Sequence, residues 1–200
     1  MECFDGGSPK HNQLGGLLPF FKCAKNTVRY HQVWCADITY IPMRRGFLYL
    51  VAIMDWHSRA VLAWRVSNTM DADFCVAALE DAMNRYGVPE IFNTDQGSQF
   101  TSYEFTKTLR EAGARISMDG RGRWMDNVMI ERLWRSLKYE CLCLREIETG
   151  SELCRVLAWW FGFYNNRRPH KTFDGRKPME IYQQYKPEGV PPLISPRWAA

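Results

Sequence analysis

The hydrophobic pattern of this 200-residue chain changes near residue 70, and that change constrains the fold more than any other feature. Before it, three segments rich in β-forming residues occupy 33–41, 46–56 and 60–68, and short polar links separate them. Links of this length suit hairpins, because a parallel connection needs a crossover of about a dozen residues or more. These segments therefore predict a three-stranded antiparallel meander.

Beyond residue 70, helical and strand-like segments alternate. They are predicted, in the order helix, strand, helix, strand, at 71–87, 90–95, 102–114 and 115–120. A strand reached through a helix usually lies parallel to its neighbour. Two further helices are predicted, one from about residue 128 and one over about 151–165. This order predicts an α/β fold with a mixed five-stranded sheet flanked by helices, which is the order of the ribonuclease H-like fold.

Length and composition indicate one soluble globular domain with short additions. Hydrophobic residues make up 46% of the chain and charged residues 24%, as in folded domains. No apolar run approaches the roughly 20 residues that span a bilayer, and the N-terminus lacks a secretory signal pattern, so we expect a cytoplasmic protein. Seven cysteines without CxxC spacing and four dispersed histidines predict reduced thiols and no zinc site. The expected parts are an N-terminal arm or remnant at 1–30, a core at 31–185 and a C-terminal tail at 186–200.

Three acidic residues occupy positions that suggest chemistry. Asp37 lies within the first predicted strand, Asp95 ends the fourth, and Glu131 begins the polar face of the helix that follows. The first and fourth strands are expected to be neighbours in a mixed sheet, so Asp37 and Asp95 are expected side by side. Two carboxylates buried together raise each other's pKa, and a divalent cation removes that conflict. Asp95, which lies two residues before Gly97, also fits an ordinary turn, and alone it does not decide between the two interpretations.

Magnesium is the expected ion, since it favours oxygen ligands and uses few protein carboxylates. Two ions about 3.5–4 Å apart suit phosphoryl transfer, because one activates the nucleophile while the other stabilises the leaving oxygen. We therefore predict a site for two Mg²⁺ ions, with Mn²⁺ as a substitute.

Basic residues follow Glu131 on the same helix. Lys138, seven residues later, shares its face at about 10.5 Å along the axis, and Arg135 lies on the same side. A carboxylate followed by cations suits a metal beside a phosphate backbone, whereas an ordinary surface ion pair between Glu131 and Arg135 is the alternative. The net charge is +4, and basic residues cluster over 121–138 and 167–177. Such clusters suit DNA, although solvated helix faces carry them too.

Several longer stretches resemble one family. The chain contains three stretches that resemble the acidic motifs of insertion-sequence transposases of the OrfB type: WCADITYI, NTDQGSQFTS and GRGRWMDNVMIERLWRSLKYE. The catalytic core of that family is similar to retroviral integrase. Thirty-five residues separate the second aspartate from the glutamate in that family, and 131 − 95 = 36 leaves the same thirty-five here. The resemblance extends through FYNNRRPH and GRKPMEIY, so that it covers about Val33 to Tyr182.

The resemblance implies a DNA transposase core that cleaves a DNA strand and transfers the freed 3′-hydroxyl to target DNA. It implies that Asp37, Asp95 and Glu131 are the catalytic metal ligands and that Lys138 holds DNA near the cut end. The implied partners are transposon ends, target DNA, further copies of the chain and an upstream DNA-binding transposase subunit.

The loop before the helix of Glu131 supplies further candidates for DNA contact. Trp124 lies among arginines, including Arg123, and is a candidate for stacking on a DNA base. Asp126 is expected to cap the helix, while Asn127 either helps the cap or approaches substrate, and the resemblance favours substrate. Asp55, at the end of the second strand, is expected to be a turn or hydrogen-bonding residue.

A second interpretation of the whole chain is a truncated, non-catalytic remnant that binds DNA or blocks a multimer. Full-length relatives carry a helix-turn-helix region before this core, and nothing before His31 resembles one. The intact set of three acidic residues favours the enzyme instead.

Overall fold

The computed structural model describes residues 29–118 and 128–184, and its sheet has the predicted mixed order. The strands are β1 (Val33–Pro42), β2 (Phe47–Asp55), β3 (Val61–Ser67), β4 (Ile91–Thr94) and β5 (Arg115–Met118). They lie in the order β3-β2-β1-β4-β5. The pairs β1–β2 and β2–β3 are antiparallel, whereas β1–β4 and β4–β5 are parallel. This confirms the predicted meander and the insertion of the later strands through helices.

Five α-helices flank the sheet in the described residues. They are α1 (Asp73–Tyr86), α2 (Tyr103–Glu111), α3 (Val128–Glu140), α4 (Gly150–Asn166) and α5 (Pro178–Gln183). The first four match the predicted helices within a few residues, and α5 was not predicted. Hydroxyl caps fix two of the starts, because Ser102 accepts from the Phe105 N–H and Thr149 accepts from the Glu152 N–H.

The turn between β2 and β3 is organised by Asp55, as the sequence predicted. Its side chain is fully buried, and Oδ2 accepts hydrogen bonds from the Ser58 N–H and the Ser58 hydroxyl. Oδ1 accepts from the His31 N–H at 2.6 Å, so the same carboxylate also ties down the segment that leads into β1. These three donors satisfy the buried carboxylate, in keeping with the predicted turn and hydrogen-bonding role of Asp55.

Apolar side chains cover both faces of the sheet, which explains the nearly continuous hydrophobic run of β2. On the first face, Val33 and Cys35 of β1 pack with the buried residues of α3 and α4. On the second face, Trp34 and Ala36 pack with α1, α2 and α5. Because β1 alternates strictly, its odd-numbered residues all point toward α3 and α4.

Helix α4 is fixed to the sheet by one buried polar contact. The side chain of Asn165 accepts from the Val61 N–H at 2.9 Å and donates to the Val61 carbonyl at 2.7 Å. The neighbouring tryptophans divide as their helical spacing requires, since Trp160 is buried and Trp159 is 57% exposed. Over the described ranges, no helix is long and apolar enough to cross a membrane.

Candidate catalytic site

The pairing of β1 with β4 brings two of the predicted aspartates together. Cys35 pairs with Asn93 at the end of the ladder, and the same register continued by two residues sets Asp37 opposite Asp95. Asp37 remains within β1, opposite Ala52 of β2, while Asp95 is the first residue after β4. Asp37 is one of the odd-numbered residues of β1 that face α3, and it contacts Trp134 of that helix. The predicted adjacency of the first and fourth strands is confirmed.

The Asp37 carboxylate is held by two donors. Its Oδ1 accepts from the Ile38 N–H at 2.8 Å, and its Oδ2 accepts from the indole Nε1–H of Trp134 at 2.8 Å. Burial nevertheless raises the pKa of Asp37 to about 6; the two hydrogen bonds lower this pKa, while the negative charges of Asp95 and Glu131 raise it further. All three predicted carboxylates therefore share one electrostatic neighbourhood.

Trp134 is a site residue that the sequence analysis missed. Its helical spacing places it on the buried face of α3, alongside Ile130 and Leu133, and only 6% of it is exposed. Its hydrogen bond to Asp37 spans 97 positions in sequence, so helical periodicity alone gives no sign of it. The available clue was that a buried indole carries one N–H donor that often finds an acceptor.

Gly97 makes room for the carboxylate of Asp95. The Gly97 N–H donates to Asp95 Oδ1 at 2.9 Å, which forms the tight turn that the sequence suggested. A Cβ atom on Gly97 would lie only 2.9 Å from that same oxygen. The glycine therefore permits the close approach of backbone and carboxylate, and the turn and functional interpretations of Asp95 are compatible.

Glu131 lies in the first turn of α3 and is exposed, as is Arg135, while Lys138 is half-buried in the last turn. Residues 29–118 and 128–184 contain no three acidic, histidine or cysteine side chains arranged closely enough to hold one metal ion. The structure thus brings Asp37 and Asp95 to matching positions and Glu131 near them, but it does not draw the three carboxylates together into one cluster.

Four predicted residues lie outside the described ranges. They are Arg123, Trp124, Asp126 and Asn127. The predictions for DNA contact and helix capping at these positions stay predictions.

The donor chemistry of the site fits a hard divalent cation. Asp37 and Asp95 supply only carboxylate oxygens, which Mg²⁺ prefers. Burial is the main cause that disfavours ionisation of Asp37 and raises its pKa, and the charges of Asp95 and Glu131 add to it. A bound cation favours the ionised carboxylate and offsets both effects.

The sheet order and the helices on both faces define the ribonuclease H-like fold, the fold of retroviral integrase catalytic cores. Two family models, both described as the integrase core domain, match residues 28–123 and 112–178. Together they span most of the chain, which belongs to the integrase core domain family.

A curated relative is the transposase for insertion sequence element IS904 of Lactococcus lactis subsp. lactis (strain IL1403). It is 34% identical over 156 residues, which cover 76% of this chain and 61% of that protein. The chain spans about half to three fifths of the length of the insertion-sequence transposases that it matches.

Two solved structures show the same fold at lower identity. The simian T-cell lymphotropic virus intasome, in complex with PP2A regulatory subunit B56 gamma, matches with a TM-score of 0.67 and 17% identity, over 84% of this chain and 59% of that chain. The HTLV-2 integrase catalytic core domain, solved in complex with magnesium in a dimeric form, matches with a TM-score of 0.60 and 18% identity. The match covers 78% of this chain and 98% of the HTLV-2 chain.

Proposed function

We propose that this chain is the catalytic core of a DNA transposase, which cleaves a DNA strand and transfers the 3′-hydroxyl to target DNA. The observation that carries the proposal is the parallel register of β1 and β4, which, continued two residues past its last pair, sets Asp37 opposite Asp95. The electrostatic coupling of Asp37 to Asp95 and Glu131 supports it. The similarity to insertion-sequence transposases supplies the reaction class.

Asp37, Asp95 and Glu131 are proposed to hold divalent cations, two Mg²⁺ ions in the full site or Mn²⁺ in their place. Such ions activate the attacking hydroxyl and stabilise the leaving oxygen of a phosphodiester. The HTLV-2 neighbour, solved with magnesium, supports this choice of ion. Glu131 is exposed, so its side chain is free to change rotamer and join the two aspartates.

The polar face of α3 is proposed to bind the DNA backbone. Arg135 and Lys138 follow Glu131 on this face, and their charges suit phosphate oxygens next to the reacting bond. Arg123, Trp124 and Asn127 are proposed to contact the same DNA.

The proposed partners are two transposon ends, target DNA and further copies of this chain. Two ends must be held in one complex, which favours an oligomer, and the intasome and dimeric neighbours support that expectation. An upstream DNA-binding transposase subunit is a further proposed partner, and the proposed place of action is the cytoplasm.

The test is strand transfer with labelled DNA that carries the terminal repeats, in Mg²⁺ or Mn²⁺. Wild type is compared with Glu131→Gln, and we expect joining to fall by about a hundredfold or more, because a ligand carboxylate is lost. Glu148→Gln is the matched control, since Glu148 is 70% exposed and pairs with Arg44. Equal joining by wild type and Glu131→Gln refutes the assignment of Glu131. DNA binding without joining by either protein favours the non-catalytic remnant.

A further inference from the structure

Trp134 differs from two other buried tryptophans in what its indole N–H does. Trp34 and Trp160 are also buried, and the Nε1 atoms of both have no hydrogen-bond partner. The indole of Trp134 instead donates to Asp37 Oδ2 at 2.8 Å. Because this core leaves two indole N–H groups unpaired, burial alone does not account for the bond that Trp134 makes.

The two donors on Asp37 hold its carboxylate from both ends. The Ile38 N–H occupies one lone pair of Oδ1, and the Trp134 indole occupies one lone pair of Oδ2. A carboxylate offers about four lone-pair sites, so each oxygen keeps one for another partner. A donor on each oxygen therefore fixes the plane of the carboxylate and leaves both oxygens able to bind a cation.

The bond also connects two elements of the site. Trp134 lies three residues after Glu131 on α3, and residues three apart are neighbours on a helix, although Trp134 is buried and Glu131 is exposed. Asp37 belongs to β1, so the indole ties the strand of the first carboxylate to the helix of the third. A shift of α3 along the sheet must break this bond.

We propose that Trp134 is a positioning residue for metal binding, which orients the Asp37 carboxylate and holds α3 in register with β1. The inference rests on the proposed function, because it assigns Trp134 a role toward the metal site proposed there. Hydrogen-bond partners of ligand side chains typically change metal affinity by about 10- to 100-fold when they are removed. Loss of the Trp134 N–H is therefore expected to weaken the binding of a divalent cation by about tenfold or more.

The test compares Trp134→Phe with Trp160→Phe. Both substitutions remove an indole from the same apolar cluster, but only the first removes a donor to Asp37. The readout is the amount of Mn²⁺ bound, which electron paramagnetic resonance measures from the free ion, alongside the thermal midpoint of each variant. We expect Trp134→Phe to lower Mn²⁺ affinity about tenfold or more while Trp160→Phe leaves it unchanged. Equal Mn²⁺ affinities in the two variants overturn the inference.

A measurement on the wild-type chain covers the case in which Trp134→Phe does not fold. In a ¹⁵N spectrum, the assigned indole N–H signal of Trp134 is expected to shift when Mg²⁺ is added. The indole signals of Trp34 and Trp160, which have no partner, are expected to stay in place. A Trp134 signal that moves no more than these two overturns the inference.

The Asp95→Asn variant separates the inference from the proposed function. Mn²⁺ binding that Asp95→Asn abolishes but Trp134→Phe does not change overturns the positioning role alone. Wild-type protein whose Mn²⁺ binding is unaffected by Asp95→Asn overturns the proposed metal site, and the role of Trp134 fails with it.

Discussion

The protonation of Asp37 should make the stability of the metal-free protein depend on pH in an unusual direction. The pKa of Asp37 is raised from its usual 3.8 to about 6, chiefly by burial. The folded state therefore binds this proton more tightly than the unfolded state does. Between these two pKa values, the Asp37 contribution to the free energy of unfolding falls as the pH rises. Most carboxylates in proteins act in the opposite sense.

The size of the effect follows from the shift in pKa. A rise from 3.8 to about 6 corresponds to about 3 kcal/mol, since one pKa unit is worth about 1.4 kcal/mol. About 2 kcal/mol of this change in the free energy of unfolding takes place between about pH 4.5 and about pH 7.5, a range in which unfolding can be measured. Asp37→Asn removes the ionisation, and it also disturbs the bonds from Ile38 and Trp134. That disturbance is nearly the same at both pH values, so it cancels when they are compared.

The assay is urea unfolding of wild type and Asp37→Asn at both pH values in the presence of a chelator. Relative to the variant, wild type should lose about 2 kcal/mol of unfolding free energy as the pH rises. Asp95→Asn should reduce this loss, because the Asp95 charge raises the pKa of Asp37. Glu148→Gln, an exposed control, should leave it unchanged. A constant difference between wild type and Asp37→Asn at the two pH values would refute the reasoning.

Two further predictions concern close contacts. Gly97→Ala should weaken Mn²⁺ binding about tenfold, because its Cβ would lie 2.9 Å from Asp95 Oδ1 and push the carboxylate aside; unchanged affinity in an isothermal titration would show that the turn adjusts freely. Asn165→Ala should lower the unfolding free energy by about 2–4 kcal/mol, because it leaves the buried N–H and carbonyl of Val61 without side-chain partners. Asn166→Ala, at an exposed position, is its control in urea unfolding, and equal losses in the two variants would contradict the assignment.

The architecture was predictable from the sequence because its signals are local. Short links at Pro42 to Arg45 and at His57 to Arg59 specify hairpins, and the change of hydrophobic period specifies helices between parallel strands. The adjacency of β1 and β4 followed from this order. Their register, continued two residues past the last pair, sets Asp37 opposite Asp95. Helix α5 was missed, because it is only six residues long and begins at Pro178, directly after a basic stretch.

The hydrogen-bond network of the site was not predictable in the same way. The bond from Trp134 to Asp37 joins elements that are 97 positions apart, and its formation depends on how α3 packs on the sheet. The raised pKa of Asp37 likewise depends on how deeply the carboxylate is buried. A sequence pattern indicates that a residue is buried but not how deeply. The close contact of Gly97 with Asp95 was predictable in part. Glycine after an aspartate indicates a turn, but the sequence does not show that Asp95 Oδ1 occupies the space where a Cβ of residue 97 would lie.

Strand pairing holds the backbone at Asp37 more firmly than the backbone at Asp95. Strand β1 is paired with β2 well past Asp37, as far as Pro42, whereas its ladder with β4 ends at Cys35. The backbone at Asp37 is therefore held by strand pairing with β2, whereas Asp95 lies in a turn beyond the last residue pair of β1 and β4. We expect amide hydrogen exchange to be slow at Asp37 and much faster at Asp95, and equal rates would contradict this. If one carboxylate is held rigidly and the other can move, the distance between the two can change while the position of Asp37 stays fixed.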